Sequence, residues 1–270
     1  MISTEKYYNE KSSSYDLGFD NLYFKVSDTI TWKYLEPYLP SDSDALVLDA
    51  AGGTGRWAIP IARKGCKVVL LDLSERMLNI AKKNIAKYNL QDRVSLKQGD
   101  ITKLVYRNET FDLVFCEHAL FLFSNPDIVI KELVRVLKRK HPLVISAQNK
   151  YPMALQFIPE ELDKATDLLY GKYSFSLMLK DERGNMHLGP KVNVITPEEF
   201  KRLLERNELK IEKIIGKGIT MPLRINPDVY LNTNYSKDLF ERILQIELAL
   251  CEKPDALGLA GHLQAIAYKL

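Results

Sequence analysis

With 270 residues, 46% of them hydrophobic and 27% charged, the chain is long enough for one α/β domain with extra segments and too balanced for a disordered or fibrous polymer. A net charge of +3 from 38 basic and 35 acidic residues argues neither for nor against a nucleic-acid partner. The three cysteines, Cys66, Cys116 and Cys251, lie far apart in a pattern that is neither a metal pair nor a disulfide framework, and no apolar run approaches the ~20 residues of a bilayer span, so the expectation is a cytoplasmic protein with no metal site and no membrane partner.

Residues 1–40 read as a helical cap, in which Tyr7, Tyr8 and Tyr15 precede an apolar pattern through Ile30, Trp32, Leu35 and Leu39. The run Ala45-Leu46-Val47-Leu48 closes in Asp49 and has the continuous apolar character of a strand buried on both faces. A glycine turn follows over residues 51–55, then a helix from about Arg56 to Lys64, with Pro60 in its early turns and Gly65 placed to end it in a left-handed conformation. Lys67 to Leu71 is a second strand, closed by Asp72, and Ser74 caps a helix that runs to about Tyr88. Val94 to Lys97 is a third strand, leading to Gly99-Asp100; Phe111 to Cys116 is a fourth; Asp127 to Leu137 is a helix and Leu143 to Ser146 a fifth strand. This alternation predicts an α/β fold with a Rossmann-like, doubly wound, mostly parallel sheet. Residues 41–150 form its cofactor-binding core, and residues 151–195 and 218–257 are lid-like insertions on the substrate side. The remainder adds a helix capped by Thr196 and opened by Pro197, a strand over Leu209 to Ile215, a helix over Asp238 to Leu250 and a last strand over His262 to Tyr268.

Right-handed crossovers line up the C-termini of such strands along one edge, and ligands bind there. Asp49, Asp72, Asp100 and Cys116 all fall at predicted strand ends. The turn Gly53-Thr54-Gly55-Arg56-Trp57-Ala58 also fits a dinucleotide fingerprint, so the loop alone leaves a nicotinamide cofactor open. Asp72, nineteen residues beyond Gly53, can hold both hydroxyls of a ribose under either reading. Asp49 is the discriminating residue, because a carboxylate in front of the glycines repels a pyrophosphate but can accept from an ammonium. Asp100 can accept from an exocyclic amine of adenine, and Leu73 and Met77 can pack on its ring. After the fourth strand, Glu117 and His118 stand where an acceptor enters, and His118 can act as a base near neutral pH. The run Lys138-Arg139-Lys140-His141 reads as a solvated helix end.

Together these residues resemble the class I S-adenosylmethionine-dependent methyltransferase family. Val47 to Arg56 looks like its glycine-rich first motif, Asp72-Leu73-Ser74 with Met77-Leu78 its second, Gly99-Asp100 its third, and Phe111-Asp112-Leu113-Val114 its fourth. The helix Glu132 to Lys138 looks like that of the ubiquinone-biosynthesis-like branch. The resemblance covers residues 45–150 and implies S-adenosyl-L-methionine as cofactor. It places Asp49, Ala51, Gly53 and Gly55 along the methionine side, Asp72 on the ribose, Asp100 and Ile101 beside adenine, Cys116 beside the amino-acid moiety, and Tyr15 over the cofactor. Ala51 replaces the usual first glycine, which is tolerable with a negative φ, and Arg139 to Pro142 replaces the usual Pro-Gly-Gly turn. Thr196 to Phe200 and the stretch from Glu247 to Leu263 faintly resemble a bacterial group that methylates carboxymethoxyuridine at the tRNA wobble position. The expectation is therefore a methyltransferase acting on a small molecule or an RNA nucleoside. The alternatives are an NAD(P)-dependent oxidoreductase and a non-catalytic S-adenosylmethionine-binding partner subunit.

Overall fold

A computed structural model describes residues 3–12, 15–158, 161–171, 174–180, 186–220 and 231–270. Part of the expected 218–257 insertion, residues 221–230, lies outside the described residues. In chain order the elements are helices α1 (Thr4–Lys11) and α2 (Leu22–Leu35), strand β1 (Leu46–Ala50), α3 (Ala58–Arg63), β2 (Lys67–Asp72), α4 (Glu75–Lys87), β3 (Val94–Gln98), β4 (Leu113–Cys116), α5 (Pro126–Val136), β5 (Pro142–Gln148), α6 (Lys150–Leu155), α7 (Leu162–Tyr170), the hairpin β6 (Ser174–Lys180) and β7 (Met186–Asn193), α8 (Pro197–Glu205), β8 (Leu209–Lys217), α9 (Lys237–Leu250) and β9 (His262–Lys269).

Seven strands form one sheet in the order β3-β2-β1-β4-β5-β9-β8, while β6 and β7 pair separately. β1 to β5 run parallel, and β9 enters antiparallel between β5 and β8. The expected doubly wound, mostly parallel architecture is what the chain adopts. Successive strand residues point to opposite faces, so each apolar run feeds two cores. Leu48, Val69, Val114 and Ile145 pack on one side with Ile130 and Leu133 of α5 and Phe200 of α8. Val47, Val68, Phe115 and Val144 pack on the other with Ile61 of α3 and Ala81 and Ile85 of α4. A third cluster joins α2 to α9, with Leu22, Val26 and Ile30 against Ile243 and Leu244.

The local signals act as read. The Ser74 hydroxyl accepts from the Met77 N–H at 3.1 Å, Thr196 and Glu199 form a reciprocal capping box, and Gly65 has φ of +100°. Two elements are shorter than expected. The helix after the glycine turn begins at Ala58 because Gly55, at φ +88°, is still turning, and β4 begins at Leu113 because Phe111 makes only an isolated bridge with Leu137. Among the described residues, no helix is long and apolar enough to cross a membrane.

Because β9 is antiparallel, its first residue reaches the same edge as the ends of its neighbours: His262 sits in register with Gln148 of β5 and Lys217 of β8. The last two strands thus deliver their own polar residues to the edge where Asp49, Asp72 and Cys116 end.

Candidate active site

The glycine turn alternates in hand, with positive φ at Ala51 (+60°), Gly53 (+55°) and Gly55 (+88°). The negative φ under which a methyl group is easily tolerated at Ala51 is therefore not what the turn adopts. The turn is pinned by the Gly52 N–H on the Leu71 carbonyl and the Gly55 N–H on the Gly52 carbonyl, both at 3.0 Å, so Ala51 keeps the left-handed conformation despite its methyl group. Gly52 is required for space, since a Cβ there would lie 2.6 Å from Asp49 Oδ2 and 2.8 Å from Leu70 Cγ.

Asp49 is 1% exposed, and its Oδ2 has no hydrogen-bond partner. Burial pushes its carboxyl up to about 7, helped by Asp72 and Glu117 and opposed by the Ala58 N–H and Arg56. An orphaned buried carboxylate oxygen is costly unless a donor meets it, and a ligand ammonium is such a donor. Asp72 takes part in the turn itself: Oδ2 accepts from the Gly53 N–H at 2.9 Å and Oδ1 from the Ser74 N–H at 2.8 Å. A carboxylate has about four lone-pair sites, so roughly two remain for a pair of ribose hydroxyls. Burial raises its pKa, with those backbone donors and the Leu73 N–H opposing. Asp100 gives one oxygen to the Thr102 N–H and hydroxyl, at 2.8 and 2.7 Å.

Asp72, Leu73, Met77, Asp100 and Ile101 line one cleft together with Ala51 and Gly53. Asp49, Gly55 and Cys116 do not line it. Asp49 lies beneath the turn, Gly55 packs on Leu70 and Ala81, and the Cys116 thiol is buried in the core, where burial pushes it up. Tyr15 covers the cleft from the N-terminal side, its Cε1 3.8 Å from where a Gly53 Cβ would stand, and burial raises its phenol to about 12. Tyr8 lies alongside, and two bonds of 2.6 Å tie the segment down, from Ser74 Oγ to Asn9 Oδ1 and from Thr54 Oγ1 to Asp16 Oδ1. The cleft then has a free volume of 70 Å³. Ligand pockets take at least about 300 Å³, so the donor set fits a nucleoside while the N-terminal segment fills its room.

Next to the cleft is a cavity of 870 Å³ walled by Tyr7, Phe19, Tyr23, Phe24, Phe121 and Tyr151. Tyr8, Tyr15 and His118 line both compartments. His118, at φ +53°, is the polar residue at the junction. Its main-chain N–H donates to Ser146 Oγ at 2.9 Å, and its Nε2 lies 3.2 Å from Glu117 Oε1. That same oxygen accepts from Lys217 Nζ at 2.6 Å, Lys217 also donates to Thr31 Oγ1 at 2.8 Å, and Glu117 Oε2 has no partner. Lys217 is 0% exposed. On the far side His262 lies 4.5 Å from His118 between ring centroids, with Tyr23 Oη 3.1 Å from its Nδ1. Burial, reinforced by Lys217, holds both imidazoles well below the usual histidine range.

The structure thus brings Glu117 and His118 together and adds Tyr23, Lys217 and His262, which sequence reasoning missed. Their signal was positional: Lys217 and His262 sit at strand ends, but the order of the last two strands was needed to place them on this edge. The basic run lies at the start of β5, at the opposite edge, with Lys138 Nζ on Asp112 Oδ1 at 2.7 Å. Among the described residues no His, Cys, Asp or Glu group is arranged to hold a metal.

Residues 47–140 match the family described as a methyltransferase domain. A demethylmenaquinone methyltransferase of Lactobacillus johnsonii is 39% identical over 94 residues, 34% of this chain and 38% of that protein. A ubiquinone/menaquinone biosynthesis C-methyltransferase of Hydrogenovibrio crunogenus is 29% identical over 187 residues, 64% of this chain and 70% of that protein. Among the demethylmenaquinone methyltransferases matched, the alignment spans from 38% to 60% of the relative's length. A S-adenosylmethionine-dependent methyltransferase structure from Methanosarcina mazei, 17% identical, covers 88% of this chain and 97% of its own with a TM-score of 0.61, which shows the shared fold. The stretch that builds the glycine turn and all three strand-end carboxylates matches a methyltransferase domain and is similar in sequence to ubiquinone/menaquinone biosynthesis C-methyltransferases.

Proposed function

We propose that the protein is a S-adenosylmethionine-dependent methyltransferase whose acceptor is a small, ring-bearing molecule held in the aromatic cavity. The observation that carries this reading is the position of His118, which lines both the cleft of strand-end carboxylates and the 870 Å³ cavity. When bound, S-adenosylmethionine supplies a methyl group on a sulfonium, already activated, so alignment and exclusion of water do most of the work. The chain's residues divide as follows. Asp72 accepts from the ribose hydroxyls. Asp100 accepts from the adenine amine, between Ile101, Leu73 and Met77. Asp49, the main chain at Cys116 and the turn Ala51 to Gly55 serve the methionine end, and Tyr15 closes over it. Glu117 fixes His118, which takes a proton from the acceptor. Residues 1–40, 151–195 and 218–257 act as the cap and substrate-side insertions around a core of residues 41–150.

Lys11 is the only lysine or arginine among the described cavity-lining residues. An RNA acceptor would draw on a basic stripe for its phosphates, so the aromatic walls favour the small molecule over tRNA. Quinones of the menaquinone kind, named in the relatives, are the acceptors to try first. The three free cysteines support a cytoplasmic setting.

Calorimetric titration with S-adenosylhomocysteine, and separately with NADH and NADPH, tests the reading. Micromolar binding of S-adenosylhomocysteine alone is expected, and binding of a nicotinamide nucleotide in its place would overturn it. Asp72→Asn should weaken S-adenosylhomocysteine roughly 10- to 100-fold, the worth of a hydrogen bond to a charged group. Unchanged affinity would remove the ribose assignment.

A further inference from the structure

We propose that His262 is the hydrogen-bond donor that holds the acceptor's reacting oxygen, that Tyr23 positions it, and that the acceptor is a phenol or enol whose proton passes to His118. This rests on the methyltransferase reading above and names the class of its acceptor.

The partners of the two rings set their roles. In the arrangement proposed, the proton of His118 sits on Nε2, which lies 3.2 Å from Glu117 Oε1, and Nδ1 keeps its lone pair. His262 is arranged the other way round. Burial keeps the Tyr23 phenol protonated, and among the described residues the partner of its hydroxyl is His262 Nδ1, at 3.1 Å. A protonated phenol can donate or accept in this bond; in the arrangement proposed the O–H donates to Nδ1, which leaves Nε2–H as the free donor of His262. The hydroxyl is held in place by two glycines, since a Cβ at Gly218 would lie 2.7 Å, and one at Gly261 2.5 Å, from Tyr23 Oη. The charged groups that face the pair, Lys217, Arg56 and Glu117, leave both rings neutral, with burial as the main cause. With these tautomers, the two imidazoles that line the cavity, their ring centroids 4.5 Å apart, carry between them one lone pair and one N–H for a ligand. A single hydroxyl matches both, giving its proton to His118 Nδ1 while its oxygen accepts from His262 Nε2–H. Around it the walls are aromatic, which suits a ring-bearing hydroxyl rather than a sugar.

The step balances. The acceptor's O–H bond breaks and its proton goes to His118. The electron pair left on oxygen, or delocalised onto the ring carbon conjugated to it, forms the new bond to the methyl carbon; in the carbon case of a phenol the proton on that carbon then leaves to solvent and His118 returns its own to the oxygen, which restores the ring. The sulfur–methyl bond breaks, and its pair stays on sulfur as a neutral thioether. The N–H of His262 meets the negative charge that builds on oxygen, a stabilisation that acts most strongly as the charge develops.

The test uses the full chain saturated with S-adenosylhomocysteine. Nitrogen-15 labelling of its four histidines reads the tautomers by NMR, with 2-naphthol and naphthalene as cavity probes. The expected result is an Nε2–H tautomer for both His118 and His262, loss of the fixed His262 tautomer in Tyr23→Phe, and tighter binding of 2-naphthol than of naphthalene. His262→Ala should cut that preference by about ten-fold, the worth of one buried hydrogen bond, and His262→Gln should restore part of it because its amide N–H reaches the position of Nε2. An Nδ1–H tautomer for His262 in the wild type, or a naphthol preference untouched in a folded His262→Ala protein, overturns the proposal. If His262→Ala fails to fold, the tautomers of the wild type and Tyr23→Phe decide. Failure of the wild type to bind S-adenosylhomocysteine would instead overturn the methyltransferase reading beneath it.

Discussion

Lys217→Met isolates the buried ion pair at the acceptor edge. Lys217 Nζ sits 2.6 Å from Glu117 Oε1 and 2.8 Å from Thr31 Oγ1, and the lysine and glutamate side chains are 0% and 2% exposed. Methionine fills much the same space and removes only the charge and the donors. Glu117 is then left as an uncompensated buried carboxylate, and breaking such a pair from one side costs about 3–5 kcal/mol. The Thr31 hydroxyl loses a partner as well, worth about 1 kcal/mol. At about 2–4 °C per kcal/mol for a chain of this size, the melting temperature should fall by roughly 8–24 °C. Glu117→Gln combined with Lys217→Met removes both charges, and the double variant should melt above the single one. Calorimetric melts of Lys217→Met, Glu117→Gln and the double variant against the wild type measure this. A drop under about 3 °C for Lys217→Met, below the range just derived, would refute the reasoning. So would a double variant whose loss is the sum of the two single losses, because that leaves no coupling between the partners.

Asp49 makes a prediction with a definite sign in pH. Its folded carboxyl is raised from 3.8 to about 7, chiefly by burial, so the folded state holds a proton that the unfolded chain has given up. Stability contributed by this group is greatest below the unfolded value, declines as pH rises between the two, and is fully lost above about 7. Asp49→Asn keeps an oxygen for the Ala58 N–H and carries no charge. It should melt above the wild type at pH 8, lose that advantage as the pH is lowered toward 4, and bind S-adenosylhomocysteine more weakly; a pH-independent difference in melting would contradict the burial argument. Gly52→Ala forces a methyl group to within 2.6 Å of Asp49 Oδ2 and 2.8 Å of Leu70 Cγ. Overpacking of this kind costs about 1–3 kcal/mol, or roughly 2–12 °C in thermal melts. An unchanged melting temperature would mean that the turn re-forms around the methyl group.

The parts of this protein that were legible in the sequence are those set by neighbours in the chain. A parallel strand covered on both faces is a continuous apolar run, so β1, β2 and β5 announce themselves, and the carboxylates at the ends of β1 and β2 fall on the ligand edge by topology alone. The caps at Ser74 and Thr196 were legible because their partners lie three residues away. The left-handed conformation of Ala51 was not legible, because it is imposed by hydrogen bonds around it rather than by its own preference. Tyr23 meets His262 across 239 residues and Lys217 meets Glu117 across 100, and nothing in the local pattern of a lysine at the end of a strand tells that it will be buried. Only the insertion of β9 between β5 and β8 places these residues together.

Tyr8 and Tyr15 belong to both compartments, and this party wall has a kinetic consequence. Any swing of the N-terminal segment large enough to admit or discharge a nucleoside also dismantles one side of the acceptor's room. The two occupants therefore cannot come and go at random. With the roles proposed above, the donor would enter first, the wall would close to complete the acceptor's enclosure, and the methylated product would depart before the spent donor. Steady-state turnover should show the signature of a compulsory order, with the acceptor's grip existing only while the first guest is seated.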